Sequence, residues 1–107
     1  MQIPEDAIIA DDKLNKYLLV QRPLDDKSGF LFRAGFTLNN WAELRDAIRR
    51  LTASTDAELD GRNEYGTFYR AEGLLVGPVA QLPVTLIWMQ RENDKRFSFV
   101  TLKPRKE

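Results

Sequence analysis

The sequence predicts an α+β fold: N-terminal helices, two short and one longer at about residues 39–53, packed on a C-terminal antiparallel meander sheet of three to four strands. Two observations carry this reading. Apolar residues recur at helical spacing up to about residue 53, and from Tyr65 onward they fall into β-branched and aromatic runs. A third observation sets the strand direction, because the connections after Val76 are too short for the crossover that parallel strands need.

The first helix is expected between Asp11 and Val20. There Leu14, Tyr17 and Leu18 share a side, Asp11-Asp12 suit a helix start, and Arg22-Pro23 end it. A second runs from Lys27 to Ala34 after Asp25-Asp26, with Phe30, Leu31 and Ala34 on one side and Gly35 as its stop. The third has Thr37, Asn39 and Asn40 as candidate caps and a stripe of Trp41, Leu44, Ile48 and Leu51. Asp46 and Arg50 form an expected i,i+4 pair on its back. Residues 53–63 read as a polar connection with a turn at Asp60-Gly61.

Three strands follow, at about 65–76, 82–91 and 96–103, the first interrupted by Gly66 and Gly73. Gly77-Pro78 and Glu92-Asn93-Asp94-Lys95 mark the two turns between them. In the second strand Leu82, Val84, Leu86 and Trp88 alternate with Thr85, Ile87 and Met89, apolar on both faces, so that strand is expected to be central. Alternation in the third puts Phe97, Phe99, Thr101 and Lys103 on one face and Ser98, Val100 and Leu102 on the other.

The 107 residues suit a single domain, 1–107, with 16 basic residues balancing 16 acidic ones. Neither cysteine nor histidine occurs, which removes disulfides, thiolate nucleophiles, histidine bases and nearly every zinc site. No apolar run approaches a membrane span, and the start Met1-Gln2-Ile3-Pro4-Glu5-Asp6 lacks the form of a secretory signal, so a cytoplasmic protein without membrane contact is expected. Asp56, Glu58, Asp60 and Glu64 alternate but lack the spacing of a calcium loop, and the glycines form no phosphate or dinucleotide loop. No metal and no cofactor is expected.

Chemistry without histidine must draw on Lys, Arg, Tyr, Thr or carboxylates. Phosphoryl transfer from an RNA 2′-hydroxyl is one reaction these can support without metal. The candidate catalytic set is Lys27, Arg70, Thr101 and Lys103, with Tyr65 or Glu64 assisting proton transfer. The competing reading is that strand tyrosines and threonines, Tyr69 and Thr85 included, simply suit a pleated surface, and that Lys27 and Arg33 face solvent.

The order Ile3-Pro4, Lys13-Leu14, Tyr17-Leu18-Leu19, Asp26-Lys27-Ser28-Gly29-Phe30, Ala34-Gly35-Phe36-Thr37, Asn40-Trp41-Ala42-Glu43-Leu44, Glu64-Tyr65-Gly66-Thr67-Phe68-Tyr69, Gly73 to Pro78, Ile87-Trp88 and Val100-Thr101 resembles a bacterial domain of unknown function. That domain occurs as small standalone proteins, notably cyanobacterial, and as the C-terminal module of polymorphic toxins and some phage head proteins. The resemblance implies the barnase- and colicin-like ribonuclease toxin fold. Lys27 and Thr101 match the toxin pattern. Thr85-Leu86 before Ile87-Trp88, and Pro23-Leu24-Asp25-Asp26 before Lys27, depart from it. The expected function is thus a small intracellular binding module of weak or no catalytic activity, whose partner is a protein or RNA. A metal-independent ribonuclease is the alternative, and either a monomer or a closed dimer is compatible with the charged, proline-bearing end of the last strand.

Overall fold

The computed structural model describes residues 1–23 and 26–105, so Asp25, half of the acidic pair expected ahead of the second helix, lies outside the described residues. Helix α1 (Asp11–Lys13) continues into a π-helical turn, Leu14–Leu18, whose Leu14 and Leu18 are buried. Helix α2 (Ser28–Phe32) follows, then a 3₁₀ turn (Leu38–Asn40) and helix α3 (Trp41–Ser54). Four strands complete the chain: β1 (Glu58–Asn63), β2 (Gly66–Val76), β3 (Gln81–Arg91) and β4 (Phe97–Pro104). They form one antiparallel sheet in the order β1-β2-β3-β4, a meander behind N-terminal helices as the sequence predicts.

The stops and caps follow local chemistry. Gly35 closes the turn after α2 at φ +96°, a left-handed conformation that costs a side-chain-bearing residue and not glycine. At the entry to α3 the Thr37 amide donates to Asn40 Oδ1 at 2.7 Å, and Asn40 Nδ2 donates to the Gly35 carbonyl at 2.9 Å. Helix α3 then buries Leu44, Ala47, Ile48 and Leu51 over the sheet, while Trp41 is half-buried at its start. The expected Asp46–Arg50 pair is not formed; Asp46 lies 4.0 Å from Arg45 instead. Both are exposed enough that neither arrangement matters much to stability.

One face of the sheet carries the core. Leu82, Val84, Leu86 and Trp88 of β3 face the helices with Ala71 and Leu75 of β2, and Phe99 meets the Trp88 ring edge-on at 5.5 Å. Tyr69 lies on this side too, against Phe97 at 5.7 Å. Ile87 on the opposite face is also buried, consistent with a central strand.

The structure corrects three expectations. The polar stretch before Tyr65 is not all connection, because Glu58–Asn63 pairs with β2, and Asp60-Gly61 is a bulge in that pairing and not a turn. Strand β2 runs unbroken through both of its glycines. At Gly66 a Cβ would stand 2.3 Å from the Gln90 carbonyl oxygen, so the glycine permits the pairing it was expected to interrupt. The third correction concerns β4. Ile87 pairs with Thr101 but Trp88 pairs with Phe99, which leaves Val100 without a partner opposite. This bulge inverts the alternation: Phe97, Phe99 and Leu102 face the core, and Thr101 and Lys103 face outward.

The free edge of β4 is only partly exposed. Ile8 lies parallel to it, its amide donating to Phe97 O and its carbonyl accepting from the Phe99 amide, both at 2.8 Å. Beyond Phe99, side chains of the first helix and of Lys27 lie beside the strand.

Candidate functional site

The residues that could act on a ligand meet where β4 passes this first helix. A cleft of about 580 Å³ is lined by Lys13, Tyr17, Lys27, Val100, Thr101 and Lys103, with Pro104 at its end. Lys13 and Tyr17 stand one helical turn apart and so present to the same side. Lys27 precedes α2, whose start is held by Asp26: its Oδ1 accepts from the Ser28 amide at 2.9 Å and from the Ser28 hydroxyl at 2.6 Å. These two bonds, the hydroxyl's first, hold the Asp26 carboxyl below the ordinary aspartate range. The turn they fix sets the direction from which Lys27 reaches the sheet.

Lys27 Nζ donates to Thr101 Oγ1 at 3.1 Å, a contact between residues 74 apart in sequence. The bulge at Val100 makes it possible, since without it Thr101 would point into the core. Among the described residues, none of Lys13, Lys27 and Lys103 forms an ion pair, and no carboxylate lines the cleft. Lysines crowded without counter-ions repel one another, and an anion placed among them lowers the energy of all three. Phosphate fits that demand, with the threonine and tyrosine hydroxyls as further donors. Tyr17 is itself covered by Arg22, whose guanidinium carbon lies 4.2 Å from the ring centre, adding cationic character at the border.

Three of the four candidate catalytic residues, Lys27, Thr101 and Lys103, therefore share this cleft. Arg70 does not. It sits on the same outward face, but its register partner Ile87 stands between it and Thr101, a separation of about 10 Å at ordinary strand spacing. Its guanidinium is taken by Glu58 at 2.9 Å and Asp60 at 3.2 Å. Those acidic residues thus neutralise an arginine. Glu64 and Tyr65 lie in the β1–β2 turn, five or more residues along β2 from Arg70, roughly 17 Å at 3.3 Å per residue. They are too far to move a proton in the cleft.

Thr85, beside Lys103 in the register, donates to Glu72 Oε2 at 3.1 Å on the outer face. Arg33 lies 6.0 Å over the Phe30 ring. The residues that sequence reasoning missed are Lys13 and Tyr17. Their i,i+4 spacing on a short helix was the available signal, and nothing local says which strand that helix face will meet.

A family model, described as a domain of unknown function (DUF6883), matches residues 2–106. No curated protein and no solved structure matches the chain.

Proposed function

The chain belongs to the DUF6883 family of domains of unknown function, and from that premise we propose that it is a binding module that holds a phosphate-bearing ligand, RNA foremost, in the three-lysine cleft without cleaving it. The Lys27–Thr101 bond carries the reading: it places an ammonium group in a cleft with two further lysines and, among the described residues, no carboxylate. Such a site can grip an anion. Two of the groups expected to move a proton there, Glu64 and Tyr65, lie out of reach, and no histidine occurs in the chain, which favours binding over cleavage. On the same reading the module works in the bacterial cytoplasm on a toxin-like ribonuclease fold, as a monomer or closed dimer. Helices ahead of a four-stranded antiparallel meander are consistent with that ancestry. Among the described residues no helix is long and apolar enough to cross a membrane.

The second reading, a metal-independent ribonuclease, draws on the same bond. Lys27, Thr101 and Lys103 could surround a scissile phosphate, with a neutral lysine as the base. One experiment separates the two. Labelled single-stranded RNA is titrated with the protein in EDTA, following anisotropy and fragment length together. Binding without fragments, weakened about tenfold by Lys27→Ala or Thr101→Val, is the expected result, tenfold being the loss of one charge-assisted contact. Cleavage that survives chelation and vanishes in Lys27→Ala would establish the enzyme instead. Absence of binding to RNA and to pyrophosphate alike would overturn both.

A further inference from the structure

We propose a second binding site, for a small apolar carboxylic acid, in the cavity between the N-terminal segment and α3, whose lining shares no residue with that of the lysine cleft. The cavity holds about 380 Å³, within the range of small-molecule sites. Ile3 and Pro4 form one wall, Arg49, Arg50 and Ala53 the other, and Trp88 of β3 contributes to its lining.

The walls are fixed. The Ala57 amide donates to the Met1 carbonyl at 2.7 Å, and Gln2 Nε2 donates to Asp56 Oδ1 at 2.8 Å. Further along, the Arg49 guanidinium donates to the carbonyls of Glu5 and Ala7 at 3.2 and 3.1 Å, and Ile8 is bonded to β4. A segment tied on both sides of the gap cannot settle onto α3 to fill it.

Two groups are left to answer to a ligand. The Trp88 indole nitrogen is buried and has no hydrogen-bond partner among the described residues, and an N–H out of water without an acceptor is a costly arrangement that a ligand oxygen would relieve. Arg50 is exposed and forms no ion pair among the described residues. The neighbouring Thr52 hydroxyl is already committed to the Ile48 carbonyl at 2.7 Å. Apolar walls call for a hydrocarbon body. Two arginines against the single carboxylate of Glu5 call for an anionic head.

The test uses the full chain labelled with nitrogen-15, with octanoate and octanol as probes. The protein has two tryptophans, Trp41 and Trp88, so Trp41→Phe assigns the Trp88 indole signal. Octanoate should move that signal saturably, and more tightly than octanol. Arg50→Gln, an exposed change that leaves the core intact, should weaken octanoate about tenfold and leave octanol alone. Lys27→Ala should alter neither, which separates this site from the phosphate cleft. An indole signal unmoved by octanoate, or equal affinities for the two probes that Arg50→Gln does not change, would overturn the proposal.

Discussion

Individual residues in this protein matter by where a neighbour has placed them. Asp26 does not line the cleft, yet its carboxylate anchors Ser28, next to Lys27, which reaches Thr101. Asp94 does similar work in the last hairpin, where the Arg96 amide first, and the charge of Arg91 second, lower its affinity for protons. A carboxyl whose folded pKa is depressed contributes stability that is complete above the unfolded value and is lost as pH falls through the folded one. Both aspartates are exposed, so the contribution is small and best read site by site. Carboxyl carbon NMR should show Asp26 and Asp94 titrating below an unfolded aspartate. Asp26→Asn should shift the Lys27 and Ser28 amide signals while leaving the Asp94 titration as it was. An Asp26 that titrates at or above the ordinary range would mean that its bonds to Ser28 do not persist in solution and do not set the pose of Lys27.

At the scale of the element, amphipathic order made α3, β2 and β3 legible. The Leu44, Ile48 and Leu51 stripe and the doubly apolar β3 admit few other placements, because burying those side chains is the main favourable term in folding. Strand β1 was illegible for the opposite reason. Its sequence, Glu58-Leu59-Asp60-Gly61-Arg62-Asn63, is exposed along nearly all its length, and no apolar alternation marks an edge strand that buries nothing. Its pairing depends on β2 being flat against it and against β3. Gly66 tests that dependence. Gly66→Ala forces a methyl group onto the Gln90 backbone and should cost about 2 to 4 kcal/mol in urea unfolding, in the range of overpacked and strained sites. The β1–β2 turn beside it should lose amide protection before α3 does. A loss under about 0.5 kcal/mol, typical of a neutral surface change, would mean that the close approach of β2 and β3 is not maintained in solution.

For the molecule as a whole, the balance of 16 basic and 16 acidic residues conceals an uneven distribution. Among the described residues, acidic side chains are spent on Arg70, Arg91, Lys95, Arg45 and Lys16, and the cleft lysines are left over. Net charge is therefore a poor guide to whether an anion binds, and salt dependence is a better one. If Lys13, Lys27 and Lys103 each neutralise one phosphate of single-stranded RNA, log K should fall against log salt with a slope of about −2, from roughly 0.7 per contact. Lys103→Gln should reduce the slope by about 0.7. A slope near zero, with binding retained, would assign the interaction to surfaces other than this cleft.

By itself the sequence determined the order of helices before strands, the antiparallel meander, the buried faces of α3 and β3, and the exclusion of cysteine and histidine chemistry. It also singled out Lys27, Thr101 and Lys103, though not the reason they belong together. That reason is tertiary. A strand's alternation tells which residues share a face only while its register holds, and the unpaired Val100 breaks it, turning Thr101 outward to Lys27. Lys13 and Tyr17 join them because Leu14 and Leu18 are drawn into the core and carry that helix against the end of β4. Arg70, Glu64 and Tyr65 are excluded by spacings that only paired strands define.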